Sequence, residues 1–447
     1  YSLVIFGGTI IHAVSVYITI TILPSVVRDI GGLDYYAWST TLFVVASIIG
    51  AAIAPRLLAS WGPRGAYLVA ACTFALSTLV CAFAPSMPVL LAGRAIEGLG
   101  GGALYALSYS LIRIVFPERL WSRAIGAESA MWGVATLIGP TIGGVFAEFD
   151  IWRGAFWLLL TLIAVFIVLA ATVLPRGREA ETKAGGLPVA QLLILTATTL
   201  TLSLSGVAQD VRWMAFGIML AIGLLALLLF AEDRAKNRIL PRGTLRQSSA
   251  IGVFYALFAL LTIGTQPEIF TPFFLQNLHG QSPLVAGYMT ALMAASWALS
   301  SMFSSGWTGA ASRRAVVASP TLMLVGLVMG AIFVPLHSDG DLMMLLPVCL
   351  SLVVLGAGIG AGWPHLYTLL AKVAPTGEQD LAVSAIVTVQ LFAVSLGAAS
   401  AGLVANLAGL TNPGGIEGIG NAALWLFAVF ALAPMISIIL ARRSIER

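Results

Sequence analysis

The stretch Gly98-Leu-Gly-Gly-Gly102 returns 258 residues later as Gly356-Ala-Gly-Ile-Gly360, each time inside a run of apolar residues. Closely spaced glycines would weaken a soluble helix, but they let two membrane helices approach each other closely. Recurrence at a fixed distance indicates an internal repeat. These two stretches therefore predict a chain that contains two copies of one helical membrane unit.

Further pairs of residues extend the repeat over the whole chain. Their offsets lie between 248 and 258 residues, and the pairs are Pro24 with Pro272, Tyr36 with Tyr288, Arg64 with Arg313, and Gly139 with Gly397. We therefore expect an N-terminal half at 1–175 and a C-terminal half at 249–447. The segment 176–248 between them is predicted to hold cytoplasmic linkers and a two-helix hairpin at 189–231.

The composition places the chain in a bilayer. Of its 447 residues 59% are hydrophobic and 9% are charged, whereas a soluble domain carries about 25% charged residues. The apolar runs are about 20 residues long, the length that an α-helix needs to cross a membrane. Spans of a membrane β-barrel would show ten-residue alternating patterns instead. We predict an all-α polytopic protein of about fourteen spans, arranged as six, two and six.

The basic residues indicate how the chain is oriented. Of the 23 lysines and arginines, Arg28, Arg153 and Arg212 lie in connections on one side, and Arg94 lies within a helix. The other nineteen lie on the side that holds both chain ends, which the positive-inside rule places in the cytoplasm. This asymmetry also explains the net charge of +4, and the sequence shows no nucleic-acid-binding patch, metal-ligand spacing or nucleophile triad. We expect a multi-pass protein of the bacterial inner membrane, with no metal.

Two stretches resemble motifs of one transporter family. Gly133-Val-Ala-Thr-Leu-Ile-Gly139-Pro140-Thr-Ile-Gly143-Gly144 is similar to the antiporter motif of exporters in the major facilitator superfamily. Gly93-Arg94-Ala-Ile-Glu97-Gly98-Leu-Gly100 resembles the motif whose buried arginine is implicated in proton coupling. Over essentially its whole length the chain resembles the fourteen-spanner drug:proton antiporters. The resemblance implies the major facilitator fold, two six-helix halves plus two extra central helices, and a proton gradient instead of a cofactor as energy source.

The resemblance also implies a set of residues that shape the conformational cycle. They are Gly139, Pro140, Gly143 and Gly144 in the fifth span, and Gly62 and Arg64 after the second span. We expect the fifth-span glycines to pack against the helix that carries Gly397. Two positions depart from the family pattern, because Ala59 replaces an aspartate of the loop signature and Ser15 replaces an acidic residue of the first span. The usual proton carrier is therefore missing or moved.

Ionisable side chains within the spans are candidates for proton coupling, because each costs at least ~2.5–3.5 kcal/mol on insertion scales. The candidates are Glu268, Arg94, Glu97 and Glu128. Glu268 lies between two prolines that break its helix, while Arg94 and Glu97 are three residues apart and share a helix face. Structural alternatives are a neutral Glu268 that holds the broken helix, a fixed Arg94–Glu97 salt bridge, and a Glu128 that faces an inner vestibule.

Aromatic and polar residues within the spans are candidates for substrate binding. They are His12, Ser15, Tyr105, Trp132, Trp297, Trp363 and His365. Their rings provide flat apolar surfaces for organic molecules, and the histidines titrate near neutral pH. The alternative for each residue is packing within the helical core.

These residues favour a secondary active transporter that works by alternating access and exports small amphipathic organic compounds in exchange for protons. We expect a monomer that interacts with its substrate, protons and the lipid bilayer, and no nucleic-acid partner. One alternative is a proton-coupled importer of a metabolite or organic acid, with Arg94 and the histidines as anion ligands. Another is a membrane acyltransferase, which needs a His-Asp or His-Glu cluster.

Overall fold

The computed structural model describes residues 2–117, 120–175, 186–208, 210–235, 237–246, 249–338, 340–375 and 377–445. Within these ranges every regular element is a helix, which confirms the predicted all-α class. Residues 176–185, most of the predicted first linker, lie outside the described ranges. The chain divides into two compact units, of which the first comprises residues up to Leu187 with Pro283–Tyr288, and the second comprises Pro188–Ser282 and the residues from Met289 onward.

The first unit is built from long helices. They are α1 (Ser2–Ile30), α2 (Trp38–Ala82), α3 (Met87–Val115), α4 (Trp121–Glu148) and α5 (Arg153–Val173). A 3₁₀ turn at Leu33–Tyr35 connects α1 to α2. Helix α3 packs mainly on α2, and α4 packs mainly on α1.

The second unit contains both long helices and short, broken ones. They are α6 (Val189–Gly206), α7 (Val211–Arg234), α8 (Ala250–Gly264), α9 (Thr271–Asn277), α10 (Pro283–Ser304), α11 (Gly309–Phe333), α12 (Leu342–Val373), α13 (Gln379–Leu407), α14 (Gly415–Phe430) and α15 (Leu432–Ile445). The first residues of α10 belong to the first unit. Helix α12 packs mainly on α11, and a 3₁₀ turn at Gln266–Ile269 separates α8 from α9.

Glycine contacts make the repeat visible in three dimensions. A methyl group on Gly98 would collide with the carbonyl of Phe43, and one on Gly102 with the carbonyl of Ser47. In the second unit, Gly356 and Gly360 lie in the same way against Met293 and Trp297. The matched contacts are offset by 258 residues on α3 and α12 and by 250 on α2 and α10. Both glycine stretches therefore serve the same purpose, the close approach of two helices.

Helix α2 changes direction at Gly62. This residue has φ 67° and ψ 178°, a conformation that is accessible essentially only to glycine. Pro63 follows directly and supplies no backbone N–H, so the regular hydrogen-bond pattern stops there. The break thus lies between the second and third predicted spans, where the sequence placed Gly62 and Arg64.

Twelve of the described helices or helix pairs are long and apolar enough to cross a membrane, whereas the sequence predicted about fourteen spans. The difference has two sources. Leu33–Ala82 counts as a single 50-residue stretch although Gly62 interrupts it. Helix α3 is absent from the twelve, because Arg94, Glu97 and its glycines lower its hydropathy.

The hairpin of α6 and α7 belongs to the second unit. Helix α6 packs on α13, where Asn406 donates a hydrogen bond of 2.9 Å to the carbonyl of Gly206 and Thr199 lies 3.4 Å from Ser395. Helix α7 packs on α6 and exposes apolar side chains, including Met219 at 72%. An exposed apolar face of this kind is typical of a surface that meets a membrane or a partner protein.

Candidate functional site

A buried charge pair lies in the first unit. Arg94 and Glu97 are 1% and 0% exposed, and the Arg94 guanidinium lies 2.6 Å from the Glu97 carboxylate. Their three-residue spacing on α3 places both on one face, as the sequence predicted. The Arg94 guanidinium also stacks 4.1 Å above the Phe43 ring, which the close α2–α3 contact at Gly98 brings beneath it. Each charge therefore has compensation within the apolar interior.

Ser15 connects the two charges. Its hydroxyl donates to Glu97 over 2.8 Å and accepts from Arg94 over 2.9 Å, and it is completely buried. Thr78 of α2 donates a further hydrogen bond of 3.2 Å to the same Glu97 oxygen. The position at which the family pattern has an acid is thus occupied by a hydroxyl that binds the acid of α3. The network joins α1, α2 and α3.

His12 lies one helical turn before Ser15, in an aromatic cage. Its ring centre is 5.1 Å from that of Phe43, 5.5 Å from Tyr105 and 5.9 Å from Trp132. The ring is 2% exposed, and its Nδ1 has no hydrogen-bond partner among the described residues. Gly101 leaves the room for this ring, because a methyl group there would lie 2.7 Å from that nitrogen.

Glu128 of α4 contacts α1 one helical turn before His12. Thr9 donates a hydrogen bond to one carboxylate oxygen, and the other oxygen has no partner among the described residues. Glu128 is 0% exposed. Thr9, His12 and Ser15 follow one another at three-residue intervals, so they share a side of α1 over about 9 Å. We call the set Glu128, Thr9, His12, Ser15, Glu97 and Arg94 the polar file.

The second unit holds a single carboxyl group at a helix break. Glu268 lies in the 3₁₀ turn between α8 and α9, and its Oε1 is buried without a partner among the described residues. Neighbouring side chains add hydrogen bonds to the backbone of the turn, since Gln266 donates to the Thr262 carbonyl over 3.0 Å and Thr271 donates to the Pro267 carbonyl over 3.0 Å. The break is thus stabilised without Glu268, whose Oε1 remains free to accept or donate.

A second aromatic cluster surrounds Trp363 on α12. Ring centres of Phe258 and Trp297 lie 4.9 Å and 5.1 Å from it, and Tyr367 lies 6.0 Å away. Trp363 is the counterpart of Tyr105 at the 258-residue offset, so both units place an aromatic cluster at the same position of the repeat. Sequence reasoning named Trp297 and Trp363 but missed Phe258 and Tyr367. Tyr367 follows Trp363 by one helical turn, and this spacing could have indicated that the two rings are neighbours.

His365 contacts residues outside this cluster. Its Nδ1 is 3.0 Å from the Ser312 hydroxyl at the start of α11, and its ring stacks on Trp307 at 6.5 Å. These contacts tie α12 to the connection between α10 and α11. Among the described residues no group of three His, Cys, Asp or Glu side chains could hold a metal.

The fifth-span glycines of α4 lie against α1 and against the start of α10. A methyl group on Gly139 would collide with Tyr17 of α1, and one on Gly143 would lie 2.9 Å from the carbonyl of Ile18. Gly144 lies against Leu284 at the start of α10. In the second unit the nearest atoms to Gly397 belong to Gln266, and the expected contact of the fifth-span glycines with the helix of Gly397 stays a prediction.

Pro140 and Gly287 close the same contact region. A methyl group on Gly287 would lie 3.2 Å from Pro140 and 2.8 Å from the Thr21 side chain. Nearby, the Thr141 hydroxyl lies 2.5 Å from that of Tyr288. The glycine-proline segment therefore gives α4 a close fit to α1 and to the first turns of α10.

Comparisons with known proteins agree with one another. The Major Facilitator Superfamily matches residues 5–398. A protein of Mycobacterium tuberculosis named "Probable multidrug-efflux transporter" is 35% identical over 444 residues, which cover 98% of this chain and 93% of that protein. "Multidrug resistance protein Stp" of the same species is 27% identical over 375 residues, covering 80% and 67%.

Solved structures of low sequence identity share the fold. A nucleoside transporter superposes with a TM-score of 0.68 at 12% identity, covering 99% of both chains. A D-xylose-proton symporter superposes with a TM-score of 0.64 at 14% identity, covering 98% of this chain and 96% of the other.

Proposed function

Since the chain belongs to the major facilitator superfamily, we propose that it exports small amphipathic organic compounds in exchange for protons. It is a transporter and not an enzyme, which excludes the acyltransferase alternative. Export is supported by the relative that is 35% identical over nearly the full length of both chains and whose name includes multidrug efflux. The conformational cycle is alternating access, in which the same site opens to either side of the membrane in turn.

The bridged pair of Arg94 and Glu97 carries the proton-coupling part of the proposal. Protonation of Glu97 removes the charge that compensates Arg94, and an uncompensated charge in the membrane interior is strongly unfavourable. The protonated state therefore favours a conformation in which Arg94 gains water or another anion. Ser15 is bonded to both partners and so responds to the change by moving α1 relative to α3.

The remaining polar file gives the proton a route and the substrate a surface. Glu128 and His12 each keep an unpartnered polar atom among the described residues, and both lie on the same side of α1 as Ser15. The aromatic cage around His12 and the cluster around Trp363 present flat apolar faces for an organic substrate. Glu268 provides a second carboxyl group that takes up and releases a proton, at the broken helix of the second unit.

The importer alternative has less support from these contacts. It assigned anion binding to Arg94 and the histidines. Arg94 is instead neutralised by Glu97, and His365 is bonded to Ser312 and stacked on Trp307. An organic acid at Arg94 or His365 would have to displace these partners.

The subfamily belongs to the proposal as well. Division of Leu33–Ala82 at Gly62 and inclusion of α3 would raise the twelve candidate spans to fourteen. An even number of spans agrees with the nineteen basic residues on the side of both chain ends, which we place in the cytoplasm. We therefore assign the chain to the fourteen-spanner drug:proton antiporters of a bacterial inner membrane.

The test uses inside-out membrane vesicles with an acidic lumen. Ethidium, an aromatic cation, is added outside, and its accumulation is recorded with and without collapse of the pH gradient. We expect gradient-dependent accumulation, and we expect Glu97→Gln to abolish it. Accumulation that survives collapse of the gradient would contradict antiport. Release of preloaded ethidium driven by the same gradient would favour import.

A further inference from the structure

Two adjacent arginines lie at the start of α11 in the second unit. Arg313 and Arg314 are both exposed, and the ion pairs among the described residues leave them without an acidic partner. Residues Gly309–Phe333 form one of the candidate membrane spans, so the pair lies within the first turns of a spanning helix. Two positive charges at this depth are held next to the boundary between headgroups and hydrocarbon.

An apolar groove extends from this pair along the same face of the helix. It is a shallow, open groove on the surface of this one helix, lined by Arg313, Arg314, Val317, Ala318, Thr321 and Leu322. Val317 and Ala318 follow the two arginines by one helical turn, and Thr321 and Leu322 follow by two. The groove therefore runs about 13 Å from Arg313 to Leu322. It has charge at one end and carbon along the rest.

A half-exposed tryptophan lies shortly before the two arginines in the chain. Trp307, just before α11, is 48% exposed and stacks on His365. Tryptophan is enriched where a membrane meets water. In the chain, this half-exposed ring comes shortly before the two arginines and the apolar groove. It therefore marks the headgroup level.

The repeat supplies an internal comparison. Arg64 is the counterpart of Arg313, and the next residue is Gly65 in the first unit but Arg314 in the second. A single basic residue at each position would suffice to orient the chain by the positive-inside rule. The second arginine, together with the groove below it, therefore calls for a function other than topology.

We propose that Arg313, Arg314 and the groove bind one anionic phospholipid. The phosphate would accept hydrogen bonds from the guanidinium groups, which match it in charge and geometry, and an acyl chain would lie along Val317–Leu322. With the proposed orientation, the lipid belongs to the cytoplasmic leaflet. The site itself depends only on α11 spanning the membrane, and not on proton coupling.

The test measures lipid binding to the purified full chain in detergent by native mass spectrometry. Phosphatidylglycerol and phosphatidylcholine with the same acyl chains are added in turn. We expect one phosphatidylglycerol to bind in preference to phosphatidylcholine, and the double variant R313Q/R314Q to bind it about thirtyfold more weakly. R313K/R314K should keep most of the preference, because it retains both charges. R28Q/R212Q removes the same charge at the other end of the spans and should bind like wild type.

A second pair of variants tests the groove. Ala318→Trp fills it and should weaken phosphatidylglycerol binding with the arginines intact, whereas Val325→Trp, one turn beyond on an exposed position, should not. Glycerol phosphate at millimolar concentration should not displace the lipid. Unchanged selectivity in R313Q/R314Q, an equal loss in R28Q/R212Q, or displacement by glycerol phosphate would each overturn the proposal. None of these readouts uses transport, so failure of the proposed antiport would leave them interpretable.

Discussion

The two halves use the same glycine scaffold for different chemistry. In the first, Arg94 and Glu97 are paired, bridged by Ser15 and continued by His12 and Glu128. In the second, a single carboxyl group at Glu268 lies at a helix break, and the position equivalent to Tyr105 carries Trp363 within an aromatic cluster. A duplicated backbone can therefore keep its helix contacts and an aromatic cluster at the same position, while the first half adds a buried charge pair.

The largest effect is expected from a substitution that breaks the charge pair. Glu97→Gln leaves Arg94 as an uncompensated buried charge, which costs about 3–5 kcal/mol, and removes the group that exchanges the proton. We expect lower thermal stability and a loss of gradient-driven transport on the order of a hundredfold. The double variant R94Q/E97Q should recover stability without recovering transport. Recovery of transport in the double variant would show that the pair is only structural.

Arg94→Lys sharpens the same point. A compact ammonium group cannot reproduce the planar contacts with Glu97, Ser15 and the Phe43 ring at once, although it keeps the charge. We expect stability near wild type but strongly reduced transport, measured as ethidium accumulation in vesicles. Wild-type transport with lysine would mean that Arg94 supplies charge alone.

The matching change in the second half should act without destabilisation. Glu268→Gln removes a carboxyl group whose Oε1 has no partner among the described residues, so no pair is broken and the helix break keeps its own hydrogen bonds. We expect thermal stability within about 1 kcal/mol of wild type, and loss of proton-driven transport. Wild-type transport in this variant would mean that Glu268 does not carry the proton and that the second half contributes only substrate contacts.

A contact change in α4 should have an intermediate effect. Gly143 is packed against Ile18 and Thr21, whereas Gly133 on the same helix has no atom within 4 Å of an added methyl group. Gly143→Leu should slow turnover about tenfold or more by separating α4 from α1, at a stability cost of about 1–3 kcal/mol. Gly133→Ala is the matched control and should leave both properties unchanged. If both variants had equal effects, the contact between α4 and α1 would have no role in the mechanism.

The smallest expected effect concerns the aromatic cluster. Trp363→Phe keeps a ring but loses part of the contact with Phe258 and Trp297, and ring pairs contribute about 0.5–1.5 kcal/mol. We expect the KM for an aromatic cation to rise about two- to tenfold with little change in maximal rate. Trp213→Phe on α7, which is 69% exposed, is the control. A change of maximal rate alone would place Trp363 outside the binding surface.

The sequence predicted what depends on regular spacing. The glycine repeat indicated two related helical halves, and the i,i+3 spacing of Arg94 and Glu97 indicated a shared face. It did not predict the hydrogen bonds of Ser15 or Thr9, because their partners lie 82 and 119 residues away on other helices. The contacts of Gly139 and Gly143 with α1 were missed for the same reason, since a small residue indicates a close contact but not which helix supplies it.

The most direct test of the account is a proton flux driven by substrate alone. Purified protein in liposomes with a pH-sensitive dye inside starts with equal pH on both sides, and ethidium is added outside. For molecules oriented to take up the substrate, the account predicts that protons leave as ethidium enters, so the lumen becomes more alkaline. Glu97→Gln should show no such change. Ethidium entry with no change of internal pH, or with acidification, would contradict proton antiport.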